Sequence, residues 1–230
     1  MTFWGVFSVT FLLGLAGAMS PGALLTYTIV KSLEAKKKAF LVGFFISLGH
    51  AIIEVILILI LLAGVESFIS QPTILIIIGV LGGSLLFFFG SQILLDIKNN
   101  RVDTSFLTST EAQFDSMVEN PKKRLYSQHP IFGSILFLMS NPYWWLWWAT
   151  VGVSIIIENA VSLTNPTAFW GLIIGKELGV FLWYVSISTA LGFSSRFMTK
   201  NVYLKILLLC ALFMAGYGIY LAISPIFKFL

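Results

Sequence analysis

Leu15-Ala16-Gly17-Ala18-Met19-Ser20-Pro21-Gly22-Ala23-Leu24 places a proline near the middle of a long apolar run. Phe137-Leu138-Met139-Ser140-Asn141-Pro142-Tyr143 does so again, with the second proline 121 residues after the first. A proline inside a helix removes one N–H and frees the carbonyl four residues earlier, here Gly17 and Leu138. Lipid cannot satisfy those groups, so such an interruption is tolerated only against protein or a water-filled cavity. Paired interruptions in corresponding segments of two halves point to a binding site between them.

The composition supports a membrane setting for both runs. The chain is 58% hydrophobic and 10% charged over 230 residues, with a mean hydropathy of +0.94. Six segments are long and apolar enough to span a bilayer: Trp4–Val30, Ala39–Gly64, Pro72–Leu95, Ile131–Ile157, Pro166–Phe193 and Val202–Ile223. The expected fold is an all-α integral membrane protein. Ala16-Gly17-Ala18 resembles a signal-peptide cleavage site, but no basic residues precede it and the apolar run exceeds a signal sequence; it reads as a permanent helix. The single cysteine, Cys210, supports neither an internal disulfide nor a Cys-x-x-Cys redox pair.

The net charge of +4 reflects topology rather than nucleic-acid binding. Of fourteen basic residues, twelve fall in alternate connections: Lys31 and Lys36–Lys38, then Lys98 through Arg124, then Arg196, Lys200 and Lys205. The connections at Gly64–Pro72 and Ile157–Pro166 carry none. The positive-inside rule puts the basic connections in the cytoplasm and both termini outside, in a multi-pass protein of the cell membrane. Residues 96–130 form a polar cytoplasmic connector between residues 1–95 and residues 131–230.

Those halves carry matched residues. Pro21 pairs with Pro142, Glu54 with Glu177 and Gly90 with Gly216, at offsets of 121, 123 and 126 residues. Two units of three helices must insert in opposite orientations, so the expected architecture is a 3+3 inverted repeat, broken at Pro21 and Pro142. Pro21 lies ten residues before Lys31, and Pro142 eleven after Ile131. At about 1.5 Å per residue both sit about 15 Å deep in a core about 30 Å thick. Opposed half-helix amino ends would then meet at one level, each offering free N–H groups and partial positive charge to an anion.

Polar groups gather near that level. Gly43, Ser47, His50 and Glu54 share one face of the second span at i, i+4, i+7 and i+11. Glu54 and Glu177 lie at similar depths, ten and eleven residues from the outer ends of their spans. An ionised carboxylate there costs at least about 2.5–3.5 kcal/mol, so intramembrane acids usually face a pathway or a partner. Lys176, the one basic residue deep within a span, adjoins Glu177, but neighbours on a helix point about 100° apart and do not face each other. It therefore neutralises an acid on another helix or meets substrate. His50 and Glu54 at i, i+4 suit a hydrogen-bonded relay, and with Glu177 they could also hold a divalent metal. The run Tyr143-Trp144-Trp145-Leu146-Trp147-Trp148 combines lipid contact with one or two rings able to wall a site or stack on a cation. Tyr184 and Ser188 continue the face of Glu177.

Ser20-Pro21-Gly22, the basic connection followed by Gly43 and Gly49, and Asn141-Pro142, in that order, resemble the LysE/RhtB family of amino-acid exporters over all six spans. The resemblance implies a six-helix inverted repeat exporting amino acids, commonly against a proton gradient, with no cofactor. Tyr143 stands where the family often has lysine, and His50 follows Gly49 where an acid is common. The expected substrate-binding residues are Ser20, Pro21, Gly22, Asn141, Pro142 and Tyr143. His50, Glu54, Lys176 and Glu177 are the expected proton-coupling or polar-pathway residues. The expected partners are a small molecule, protons and the lipid bilayer; assembly into a homo-oligomer stays open. A divalent-metal exporter using His50, Glu54 and Glu177 is the competing reading. A thiol-based electron carrier lacks its second cysteine, and a hydrolase its Ser–His pair.

Overall fold

The structure, a computed structural model, describes residues 2–19, 23–65, 72–102, 104, 129–193 and 199–229. The chain runs through α1 (Phe3–Met19), α2 (Ala23–Ala35), a 3-10 turn (Lys36–Lys38), α3 (Ala39–Val65) and α4 (Pro72–Lys98). It continues through α5 (Pro130–Met139), α6 (Pro142–Trp147), a π turn (Trp148–Gly152), α7 (Val153–Glu158), α8 (Pro166–Phe193) and α9 (Lys200–Phe229). No β-strand occurs among the described residues; a single bridge joins Ser162 and Asn165.

Prolines start several of these helices, because the first helical residue needs no N–H partner. Pro166 opens α8 behind Asn165, whose side-chain oxygen accepts from the Ala168 N–H at 3.3 Å. Pro130 opens α5 behind His129, whose Nδ1 accepts from the Ile131 N–H at 3.4 Å. Pro142 is likewise the first residue of α6.

Among the described residues, four helices are long and apolar enough to cross a membrane: Ala39–Gly64, Ile76–Lys98, Pro166–Gly192 and Lys200–Ser224. Residues 3–19 and 24–32 together would make a fifth, bent by 72°. The expected fourth span, Ile131–Ile157, is divided into Pro130–Met139 and Trp144–Glu158, each shorter than a full crossing. Ser140 and Asn141 make that division, and their surroundings satisfy the backbone groups it exposes. The Leu138 carbonyl, which cannot receive an N–H from Pro142, accepts instead from the Asn141 N–H at 3.0 Å. The Leu136 carbonyl takes the Ser140 N–H and hydroxyl, and the Met139 carbonyl takes the Trp145 indole N–H at 2.8 Å. Residues 20–22, with Pro21, lie outside the described residues, as does most of the connector at 96–130.

Small residues set the closest helix pairs. α1 runs along α8 in the same direction, with Gly175 against Phe7 and Thr10, and Gly179 against Phe11 and Leu15. α4 runs against α9 in the opposite direction, and Gly83 and Gly218 let the two backbones touch. A Cβ on Gly216 would meet nothing within 4 Å, so Gly218 rather than Gly216 is the glycine at this crossing. α3 packs between α8 and α5, and α2 against α3 and α8. Large apolar side chains such as Ile60, Leu209 and Phe227 face outward, as a lipid-facing surface requires.

Candidate functional site

α3 and α8 cross in the centre of the molecule, and each brings its polar face to the crossing. On α3, Gly43 lies against the backbone of Tyr184, and the Ser47 hydroxyl donates to the Gly43 carbonyl at 2.9 Å. This close contact carries His50 and Glu54 toward α8. On α8, Lys176 and Glu177 lie opposite them, while Ser188 bonds Ser32 of α2 at 2.9 Å. His50, Glu54, Lys176 and Glu177 are all buried, and Glu54 has no exposed surface.

The Lys176 ammonium donates to both oxygens of Glu54, at 2.5 Å from Oε1 and 2.6 Å from Oε2. Its sequence neighbour Glu177 is not its partner, in keeping with the angle between adjacent side chains. Glu177 is held at a distance instead: His50 Nδ1 lies 3.6 Å from Glu54 Oε2 and 3.6 Å from Glu177 Oε2. That spacing suits an ion pair but is long for a hydrogen bond. Both Glu177 oxygens and His50 Nδ1 are buried without a hydrogen-bond partner among the described residues. Two carboxylates, one imidazole and one ammonium thus share an apolar interior, with capacity for one more positive charge.

Three tryptophans complete the site, and the spacing that brings them there is i, i+3, i+4. The indole N–H groups of Trp144 and Trp148 donate to Glu54 Oε1 at 3.2 and 2.9 Å. The Lys176 ammonium lies 5.0 Å from the Trp147 ring centroid and 5.1 Å from that of Trp148, within cation–π range. The π turn begins at Trp148, and such turns are frequent where a helix serves a site. Trp144, Trp147 and Trp148 thus line the candidate site, while Trp145 closes the end of α5. The sequence carried a signal for this in the shared face of Trp144, Trp147 and Trp148. Membrane helices carry tryptophan for other reasons, so the sequence assigned one or two rings to a site without saying which.

Of the residues expected to bind substrate, Asn141 and the backbone of Pro142 and Tyr143 lie at the α5–α6 junction, immediately before Trp144. The Asn141 carbonyl accepts from the Trp144 N–H at 3.1 Å, which ties the junction to the tryptophan wall. The Pro142 and Tyr143 side chains, and all of Ser20, Pro21 and Gly22, lie outside the described residues. The Tyr203 hydroxyl of α9 donates to the Met19 carbonyl at 3.3 Å, at the end of α1 that precedes Ser20.

One donor atom each from His50, Glu54 and Glu177 fall within 4.8 Å of one another, a grouping able to hold a metal ion. The Lys176 ammonium already engages both Glu54 oxygens, which opposes a cation at that carboxylate. No curated protein and no solved structure matches the chain. A family model does, over residues 15–225, and its description is LysE type translocator.

Proposed function

The chain belongs to the LysE type translocator family, and from that premise we propose that it exports small amino acids or related metabolites across the plasma membrane, coupled to protons. It is a multi-pass membrane transporter and not an enzyme. The observation that carries the reading is the buried meeting of Glu54 and Lys176 with His50 and Glu177. A structural ion pair needs one acid and one base. The second acid and the imidazole add a place for a proton within reach of that pair.

Alternating access in this reading is rocking of residues 1–95 against residues 131–230 about the site. The helix contacts support a repeat relation. Exchanging the first unit for the second turns the α1–α8 pair into the pair of α5 with α3. It also leaves the α3–α8 and α4–α9 crossings in place. The half-helix amino ends at Ser20-Pro21-Gly22 and Asn141-Pro142-Tyr143 draw the substrate carboxylate into the site, and both termini face outside.

Uptake of labelled amino acids into inverted vesicles, with and without a pH gradient, tests this function. Accumulation that a protonophore abolishes is expected. Uptake indifferent to the gradient would remove the proton, and no uptake of any amino acid would remove the substrate class. The triad of His50, Glu54 and Glu177 favours divalent-metal export as the second reading. Rescue of a metal-sensitive deletion strain by this chain would establish that instead.

A further inference from the structure

We propose that Lys176 is a tethered stand-in for the substrate's ammonium group: substrate enters by exchanging into the Lys176–Glu54 ion pair. The inference rests on the transport reading above and names how its site recognises a ligand. The surroundings of the Lys176 nitrogen are those of an ammonium receptor. A carboxylate offers both oxygens at 2.5 and 2.6 Å, and two indole faces lie at 5.0 and 5.1 Å.

This receptor does not depend on the lysine for its shape. Trp144 and Trp148 hold Glu54 Oε1 by their own N–H groups, so the carboxylate stays aimed when the ammonium leaves. The lysine is also suited to leave, being a compact charge on a flexible four-carbon stem. Its backbone abuts Gly14 of α1, where a Cβ would overlap the Lys176 carbonyl, so movement of α1 reaches the lysine directly.

Charge conservation then selects the ligand. In a buried site, separating an ion pair without replacing either partner is strongly disfavoured. A zwitterion replaces both: its ammonium takes Glu54 while its carboxylate takes Lys176. An amine alone strands the lysine, because the adjacent Glu177 points away from it on the same helix, and a carboxylic acid alone strands Glu54. Glu177 and His50 stay outside the exchange and keep the capacity for a proton, or for the side-chain cation of a basic substrate.

Purified full-length Lys176→Ala, probed with ethylammonium chloride, isolates the receptor from transport. Ethylammonium is expected to alter tryptophan fluorescence with an affinity at least about tenfold higher in Lys176→Ala than in the wild type, where the lysine competes. Equal affinities would overturn the proposal. Should Lys176→Ala fold poorly, ethylammonium present during solubilisation should raise its folded yield above that in sodium chloride of equal ionic strength; no rise overturns it equally. In transport, Lys176→Arg should raise KM at least about fivefold, because a bidentate guanidinium is harder to displace from Glu54. An unchanged KM would assign the lysine a structural role. If the wild type carries no amino acid, the function fails while the ethylammonium measurement still reads the receptor.

Discussion

Glu54 is the residue on which the interior charges converge, with Lys176, Trp144 and Trp148 all donating to it and His50 close by. Removing its charge leaves the Lys176 ammonium buried without its partner, a change that costs about 3–5 kcal/mol in buried pairs. Glu54→Gln should therefore lose export and unfold at lower temperature. The double variant Glu54→Gln/Lys176→Met should regain most of the stability but none of the export. Thermal unfolding in detergent and export from intact cells measure the two effects separately; wild-type export by Glu54→Gln would take this residue out of the mechanism. Glu54, His50, Lys176 and Glu177 were legible in the sequence, because a charge in an apolar span demands a partner. The angle between adjacent side chains already argued against Lys176 pairing with Glu177. That its partner is Glu54, on a helix 122 residues away in sequence, is a fact of helix crossing.

At the scale of elements, proline and glycine divide the labour. Pro142 does not kink a continuous helix; it starts a new one after α5 has ended at Met139, and Asn141, Ser140 and Trp145 supply the donors that the end of α5 needs. The indole that completes this end comes from only six residues further along the chain. The glycines show where local sequence falls short. Gly90 and Gly216 looked like matched positions, yet Gly216 faces open space while Gly218 bears the crossing with Gly83 and Phe87. Gly218→Val should force α4 and α9 apart at a cost of about 1–3 kcal/mol. Gly216→Ala should be neutral or stabilising by up to about 1 kcal/mol through helix propensity. Folded yield by size-exclusion chromatography and unfolding temperature check both. Equal effects of the two changes would contradict the crossing.

For the whole molecule, the distribution of basic residues and the relative directions of the packed helices agree. α1 and α8 run parallel and α4 and α9 antiparallel, as an arrangement with both termini on one side of the membrane requires. Alkaline phosphatase fused after residue 230 or within 66–71 should be active, and fused within 105–128 inactive; the reverse pattern would invert the topology. By itself the sequence determined the membrane setting, the helical class and the identities of the buried ionisable residues. Those follow from hydropathy and from the desolvation of charge, both properties of single residues and short runs. Only the tertiary structure decided which charges pair, which tryptophans reach Glu54 and which glycine sets a crossing. These depend on the rotation and offset of helices far apart in sequence, which close packing of specific faces fixes and periodicity along one helix does not.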